Sequence, residues 1–237
     1  MHSPFNLAKK YLRYYLHASN SNGHGVHSPF VFEFIQKVKN KKPADDFTSI
    51  EMVREKLLAD KTLIDVEDFG AGSTIIKTNK RMVSKMASSS LKKRKYSLLL
   101  FNLVKFYKAE NILELGTSFG ITTAYLARAN PLAKIITIEG APTIACIARQ
   151  NFELLPVNNI EILTGDFNEK LPVALEKMPI VDVAFIDGNH RKEPTLEYFS
   201  ILLNHSTSST VLIFDDIHWS AEMEAVWEEI KTHKAVT

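Results

Sequence analysis

The most reactive side chains in this sequence stand at the ends of two apolar runs. Val181-Asp182-Val183-Ala184-Phe185-Ile186 closes with Asp187-Gly188-Asn189-His190, and Val211-Leu212-Ile213-Phe214 closes with Asp215-Asp216. Short runs rich in branched and aromatic residues read as buried strands, so these acids sit at strand ends. In a doubly wound sheet, ligands bind outside the carboxyl ends of the strands, which would bring Asp187, Asp215 and Asp216 into one crevice. Like charges packed there are costly unless a proton or a cation lies between them. Three carboxylates are hard oxygen donors that suit a divalent ion, most plausibly magnesium. His190 is the candidate proton acceptor, because imidazole changes charge near neutral pH; His218 is a second. Capping of a following helix is the alternative use of Asp187 or Asp216.

A second stretch, Asn111-Ile112-Leu113-Glu114-Leu115-Gly116-Thr117-Ser118-Phe119-Gly120-Ile121, reads as strand, tight loop and helix start. Gly116 and Gly120 bracket a bend in which glycine permits positive φ or a close approach to the backbone. A helix beginning near Ile121 would aim unpaired N–H groups at whatever lies over the loop. The spacing acid-x-Gly-x-x-x-Gly differs from the Gly-x-Gly-x-x-Gly of dinucleotide binders and argues against NAD. The next run, Lys134 to Ile138, ends in Glu139, about 20 residues on, where a fold of this type puts a ribose-binding carboxylate. Glu139 could instead cap the helix that follows Gly140-Ala141-Pro142. A third run, Ile160-Glu161-Ile162-Leu163, leads to Thr164-Gly165-Asp166-Phe167, where Asp166 or Asn168 could equally be a helix N-cap.

The glycine stretch resembles the first motif of Rossmann-like, class I S-adenosylmethionine-dependent methyltransferases, with Glu114, Gly116 and Gly120 at the motif positions. That resemblance implies a cofactor site formed by Glu114, Gly116, Thr117, Ser118 and Gly120, with Glu139 and Gly140 at the ribose. Asp166 would accept from the adenine amine, Phe167 would cover the ring, and Asp187 would line the same site. The Asp-Gly-x-His end and the paired acids that follow are similar to metal-dependent O-methyltransferases, over about residues 95 to 230. By that likeness Asp187, Asp215 and Asp216 hold the ion and His190 is the catalytic base. The catechol-type branch has Asp-Asn at the second site and a lysine near the position of His190. Both differ here, which argues against a catechol acceptor.

From Asn111 onward strands and helices alternate, the pattern of a parallel sheet covered on both faces. The expected fold is α/β, a Rossmann-like doubly wound sheet of order 3-2-1-4-5 over residues 91–237, with an N-terminal helical extension over 1–90. The family's domain continues with two further strands, one antiparallel, which are absent before Thr237. Either the sequence is a truncated form or the fifth strand is left as a sheet edge, and an open edge invites pairing with a second copy, a homodimer.

Length and composition set the remaining bounds. A chain of 237 residues can bury a sizeable core, and its net charge of +2 gives no global case for nucleic acid or membrane binding. Cys146 is the only cysteine, so neither an intrachain disulfide nor a cysteine zinc cluster forms. Without a bilayer-spanning run or a signal-peptide core, the expected location is cytoplasmic. Phe5 to His17 has helical apolar spacing with a basic side, and Phe30 to Val38 and Ser49 to Leu58 read as further helices. His24 and His27 share a loop and could ligate a metal only with further ligands. Asp68 to Ser73 repeats an acid-x-Gly-x-Gly pattern, but no convincing strand precedes it, and it reads as a turn near the site's mouth. Lys92-Lys93-Arg94-Lys95 reads as a solvated basic run that could also attract an anionic substrate.

The leading expectation is therefore methyl transfer to an oxygen of a hydroxylated small molecule, using S-adenosylmethionine and a divalent metal. Two others share the fold: an aminopropyl-transferase-like enzyme, and a non-catalytic cofactor-binding or interaction protein.

Overall fold

The computed structural model describes residues 28–66 and 79–236. The expected helix at Phe5 to His17, the His24/His27 loop and the glycines at 70 and 72 lie outside them. Helix α1, Pro29–Phe34, is capped by Ser28 and runs into a π-helical turn at Ile35–Lys39; α2 follows at Thr48–Ala59. Strand β1, Leu63–Asp65, pairs antiparallel with β2, Lys80–Met82, as a separate two-stranded sheet. No strand is expected there from the sequence, because three residues that are mostly exposed leave no apolar pattern to read. Helices α3, Val83–Ser90, and α4, Arg94–Tyr107, lead into the main sheet.

The main sheet comprises β3 (Asn111–Leu115), β4 (Lys134–Glu139), β5 (Ile160–Thr164), β6 (Val183–Ile186) and β7 (Val211–Phe214). Its order is β5-β4-β3-β6-β7 with every pairing parallel, which is the expected 3-2-1-4-5 arrangement of a Rossmann-like fold. Between the strands run α5 (Ile121–Ala129), α6 (Pro142–Glu153), α7 (Phe167–Lys177) and α8 (Lys192–Leu203), with α9 (Ala221–Lys231) after β7. Central strands β3 and β6 are almost wholly buried, as parallel strands covered on both faces must be. Every residue of β7 is half-buried, as at a sheet edge. Chain reversal between β3 and β6 opens the crevice at their carboxyl ends, and Asp182 fixes the opposite end by accepting from the Glu110 and Asn111 N–H groups at 2.9 and 2.8 Å.

One buried cluster joins the first helices to the sheet: Val38, Phe47, Ile50, Val53 and Leu57 pack with Ile112, Phe119, Ile121 and Tyr125. Phe47 stacks on Tyr125 at 4.7 Å between ring centroids and meets Phe101 edge-on at 4.9 Å. No helix among the described residues is long and apolar enough to cross a membrane.

Truncating Phe47 to Ala removes both ring contacts and leaves a cavity. Urea unfolding should show a loss of about 3–5 kcal/mol in one cooperative transition. A loss below about 0.5 kcal/mol, the scale of a surface change, would show that this ring does not hold α2 to the sheet.

Candidate active site

The bend after β3 is shaped by the protein's own backbone. Gly116 has φ of 102°, and a Cβ there would lie 2.1 Å from the Asp187 carbonyl oxygen. Its glycine therefore serves the close contact between the ends of β3 and β6, and not only an approaching ligand. Gly120, with φ of 81°, starts α5, and a Cβ would meet the Phe152 ring at 2.4 Å. Ser118 takes φ of 49°; its N–H donates to Glu139 Oε2 at 2.8 Å, while Glu139 Oε1 accepts from the Ala141 N–H at 3.0 Å. Each carboxylate oxygen has a further lone pair, so Glu139 is held in place and can still accept from sugar hydroxyls. The Ala141 contact lies at the start of α6, in line with the helix-capping use foreseen as its alternative.

Glu114 stands apart from a ligand-facing role. It is fully buried beneath the bend, where Oε2 accepts from Thr123 Oγ1 at 2.5 Å and Thr137 Oγ1 at 2.7 Å. Thr117 is buried too, its hydroxyl 2.6 Å from that of Thr137. Burial pushes the Glu114 pKa up to about 8, opposed by the two threonine hydroxyls and reinforced by Asp187 and Glu139. Burial likewise raises Glu139 and Asp187. Glu114 Oε1 meets no partner among the described residues. Glu139 at the end of β4 and Asp187 just after β6 thus stand beside the bend, with Glu114 buried beneath it.

After β5, Asp166 is the N-cap of α7, its Oδ1 accepting from the Asn168 N–H at 2.8 Å. The Phe167 ring lies edge-on to Tyr198 at 5.8 Å and fills the space above Gly188, where a Cβ would come within 2.7 Å of it. Gly140 lies next to Glu139 and is half-buried.

The expected acid triad divides. Asp187, His190 and Asp216 each offer one ligand atom, and these atoms all lie within 4.8 Å of one another. His190 Nε2 is 3.9 Å from Asp187 Oδ1 and 3.8 Å from Asp216 Oδ2, too long for direct hydrogen bonds. Asp215 turns away: its Oδ1 accepts from the Asp216 N–H at 2.9 Å and its Oδ2 forms an ion pair with Lys92. Lys92 also lies 2.9 Å from Asp187 Oδ2, and its side chain is only 18% exposed. The basic run is therefore not wholly solvated. Its first lysine enters the acid cluster, a long-range pairing that no local sequence pattern announces, and Arg94 and Lys95 already belong to α4.

Asn189, His190 and Asp216 have φ of 67°, 38° and 50°, and with Ser118 they make up most of the non-glycine positive-φ positions among the described residues. Such conformations are costly and persist where surrounding structure enforces them, so the strain concentrates on residues that face the crevice. Trp219 flanks His190, with ring centroids 6.4 Å apart, and presents a partly exposed indole beside the acids. His218 is mostly exposed and pairs with Glu224 at 3.1 Å.

Residues 113–217 match the family model described as a methyltransferase domain. The chain is similar to the catechol O-methyltransferase of Niastella koreensis, 35% identical over 118 residues that cover 48% of this chain and 52% of that one. It is also similar to the catechol O-methyltransferase of Mycobacterium tuberculosis, 28% identical over 165 residues covering 65% and 71%. The match spans about half the length of the Niastella relative. Among solved structures, an O-methyltransferase from Bacillus cereus in complex with SAH has a TM-score of 0.61, at 24% identity over 84% of this chain and 85% of that one, a likeness of fold. The O-methyltransferase TomG from Streptomyces achromogenes, in complex with SAM, has a TM-score of 0.52 at 26% identity, over 60% and 69%. Over residues 113–217 the chain is thus similar to methyltransferases, and it resembles S-adenosylmethionine-dependent O-methyltransferases, the likeness that its strand-end motifs imply.

The raised pKa of Glu114 makes a stability prediction. Its folded-state value lies above its unfolded one, so its contribution is fully present below pH about 4.5 and is lost as pH rises toward about 8. Glu114→Gln removes that ionisation, so the variant should gain on the wild type as pH rises from 5 to 8 in urea unfolding. A difference between the two proteins that does not change with pH would show that Glu114 is not buried in this way.

Proposed function

We propose that this chain transfers a methyl group from S-adenosylmethionine to an oxygen of a hydroxylated small molecule, with a divalent ion, magnesium the candidate, at the acid cluster. The observation that carries the reading is the meeting of two features at one crevice: the acid-ringed bend at Gly116, and the convergence of Asp187, His190 and Asp216 beside it. The relatives' O-methyltransferase names support the same chemistry.

S-adenosylmethionine supplies a methyl group activated on a sulfonium, and its positive charge suits the carboxylates of Glu139 and Asp187 beside the bend. In this reading the ends of β3 and β6 hold the reacting groups, Ser118 and Glu139 fix the sugar, and Phe167 and Asp166 border the adenine. The main task of the chain is alignment, since methyl transfer is an in-line displacement in which the acceptor oxygen, the methyl carbon and the sulfur must lie in line with water excluded. A divalent ion held by Asp187 and Asp216 would supply Lewis acidity that lowers the pKa of the acceptor hydroxyl.

His190 takes the hydroxyl proton on Nε2, the nitrogen that faces both carboxylates. The oxygen forms a bond to the methyl carbon as the carbon–sulfur bond breaks, and the electron pair of that bond goes to sulfur. Trp219, partly exposed beside His190, offers a flat apolar surface for an aromatic acceptor.

Incubation with S-adenosylmethionine, magnesium and a panel of hydroxylated aromatics, vicinal diols included, should yield a methyl ether detectable by mass spectrometry. EDTA should suppress the product. His190→Ala should slow turnover by roughly 10²–10⁴-fold while manganese uptake changes by less than about threefold, as for a proton acceptor rather than a ligand. Cofactor uptake without methyl transfer to any member of the panel would contradict the proposal.

A further inference from the structure

The acid cluster already contains a cation of its own. Lys92 lies between α3 and α4, and its backbone is fixed from both sides. Its carbonyl accepts from Arg54 Nη1 at 2.6 Å, and Arg54, only 9% exposed, is itself held by Glu51 at 3.1 Å. Two residues earlier, Ser90 Oγ lies 3.0 Å from Ser118 Oγ on the bend that follows β3. The short link between the helices is thereby strapped across the crevice, and the lysine side chain reaches down to Asp187 Oδ2 and Asp215 Oδ2.

Asp187 is shared between two positions. Its Oδ2 faces the Lys92 ammonium, and its Oδ1 faces His190 Nε2 and the point where Asp216 also converges. A divalent ion at that point would stand beside the ammonium in a largely covered site, where like charges repel more strongly than in water. Asp215 is not among the residues whose ligand atoms gather there; its oxygens face the Asp216 N–H and Lys92.

We propose that Lys92 is a tethered cation that competes with a divalent ion for Asp187, so that ion uptake at Asp187 and Asp216, beside His190, requires the ammonium to give up that carboxylate. The inference rests on the reading of Asp187 and Asp216 as an ion site. With Lys92 seated, the chain balances its own acids; with Lys92 displaced, Asp187 becomes a ligand. Lys92 is thus a positioning residue that sets how strongly the site takes up metal. An ordinary stabilising ion pair would instead leave metal affinity unchanged, or lower it, when the lysine is removed.

The test uses the full chain and manganese alone, with the free ion counted by electron paramagnetic resonance. Lys92→Met keeps most of the aliphatic stem and removes the charge, and it should bind manganese at least tenfold more tightly than the wild type. Asp187→Asn should abolish uptake in either background. In thermal unfolding, Lys92→Met should melt below the wild type without metal and gain more from added manganese. Lys92→Arg keeps the charge and serves if the methionine variant does not fold; its manganese affinity should stay within threefold of the wild type. Equal or weaker manganese binding by Lys92→Met, tighter binding by Lys92→Arg, or no uptake by any of the proteins would overturn the proposal. Titration of S-adenosylmethionine into the same proteins reads the cofactor site separately, so cofactor uptake without competition for manganese would overturn this inference alone.

Discussion

Burial of three carboxylates around one bend is the constraint on which the rest of the crevice depends. Glu114, Glu139 and Asp187 end three adjacent strands of a parallel sheet, and each has its pKa raised by burial. No arrangement of parallel strands requires acids there, and placing them together costs free energy unless positive charge arrives. The molecule meets the cost in different ways at the three positions. Glu114 is held by two threonine hydroxyls, Glu139 by backbone N–H groups, and Asp187 by Lys92. Only the second of these leaves the acid open to a ligand without breaking a charge pair.

The same crevice explains the backbone. Gly116 brings the end of β3 against the carbonyl of Asp187, and that contact fixes the separation between the bend and the acid cluster. Positive φ at Ser118, Asn189, His190 and Asp216 falls in the loops that follow β3, β6 and β7. A scaffold that holds four non-glycine residues in this region must over-determine them, and the rigid ends of β3, β6 and β7 do so.

Much of this was legible in the sequence. The alternation of apolar runs and helices pointed to a parallel sheet, because parallel strands buried on both faces read as continuous apolar segments, and the strand order followed from the resemblance to Rossmann-like methyltransferases. The bend at Gly116 and Gly120 and the acids ending the strands were visible for the same reason, as each apolar run stops where the strand does. Three features were not. Glu114 has the motif spacing, yet its burial depends on Thr123 and Thr137 from a helix and a neighbouring strand. The turn of Asp215 away from Asp187 and His190 depends on Lys92, which is distant in the chain and belongs to a run that looks solvated. The hairpin of β1 and β2 is too short and too exposed to leave a periodic signal. What escaped was set by contacts between distant segments, and what was read was set by local pattern.

Calorimetric titration of S-adenosylmethionine into the wild type and into Glu139→Ala is the most direct test that the bend at Gly116 and the acid ending β4 hold a cationic nucleoside. Saturable uptake of one equivalent by the wild type, weakened at least tenfold in the variant, is the expected result. No uptake by the wild type, or equal affinity in the two proteins, would contradict it.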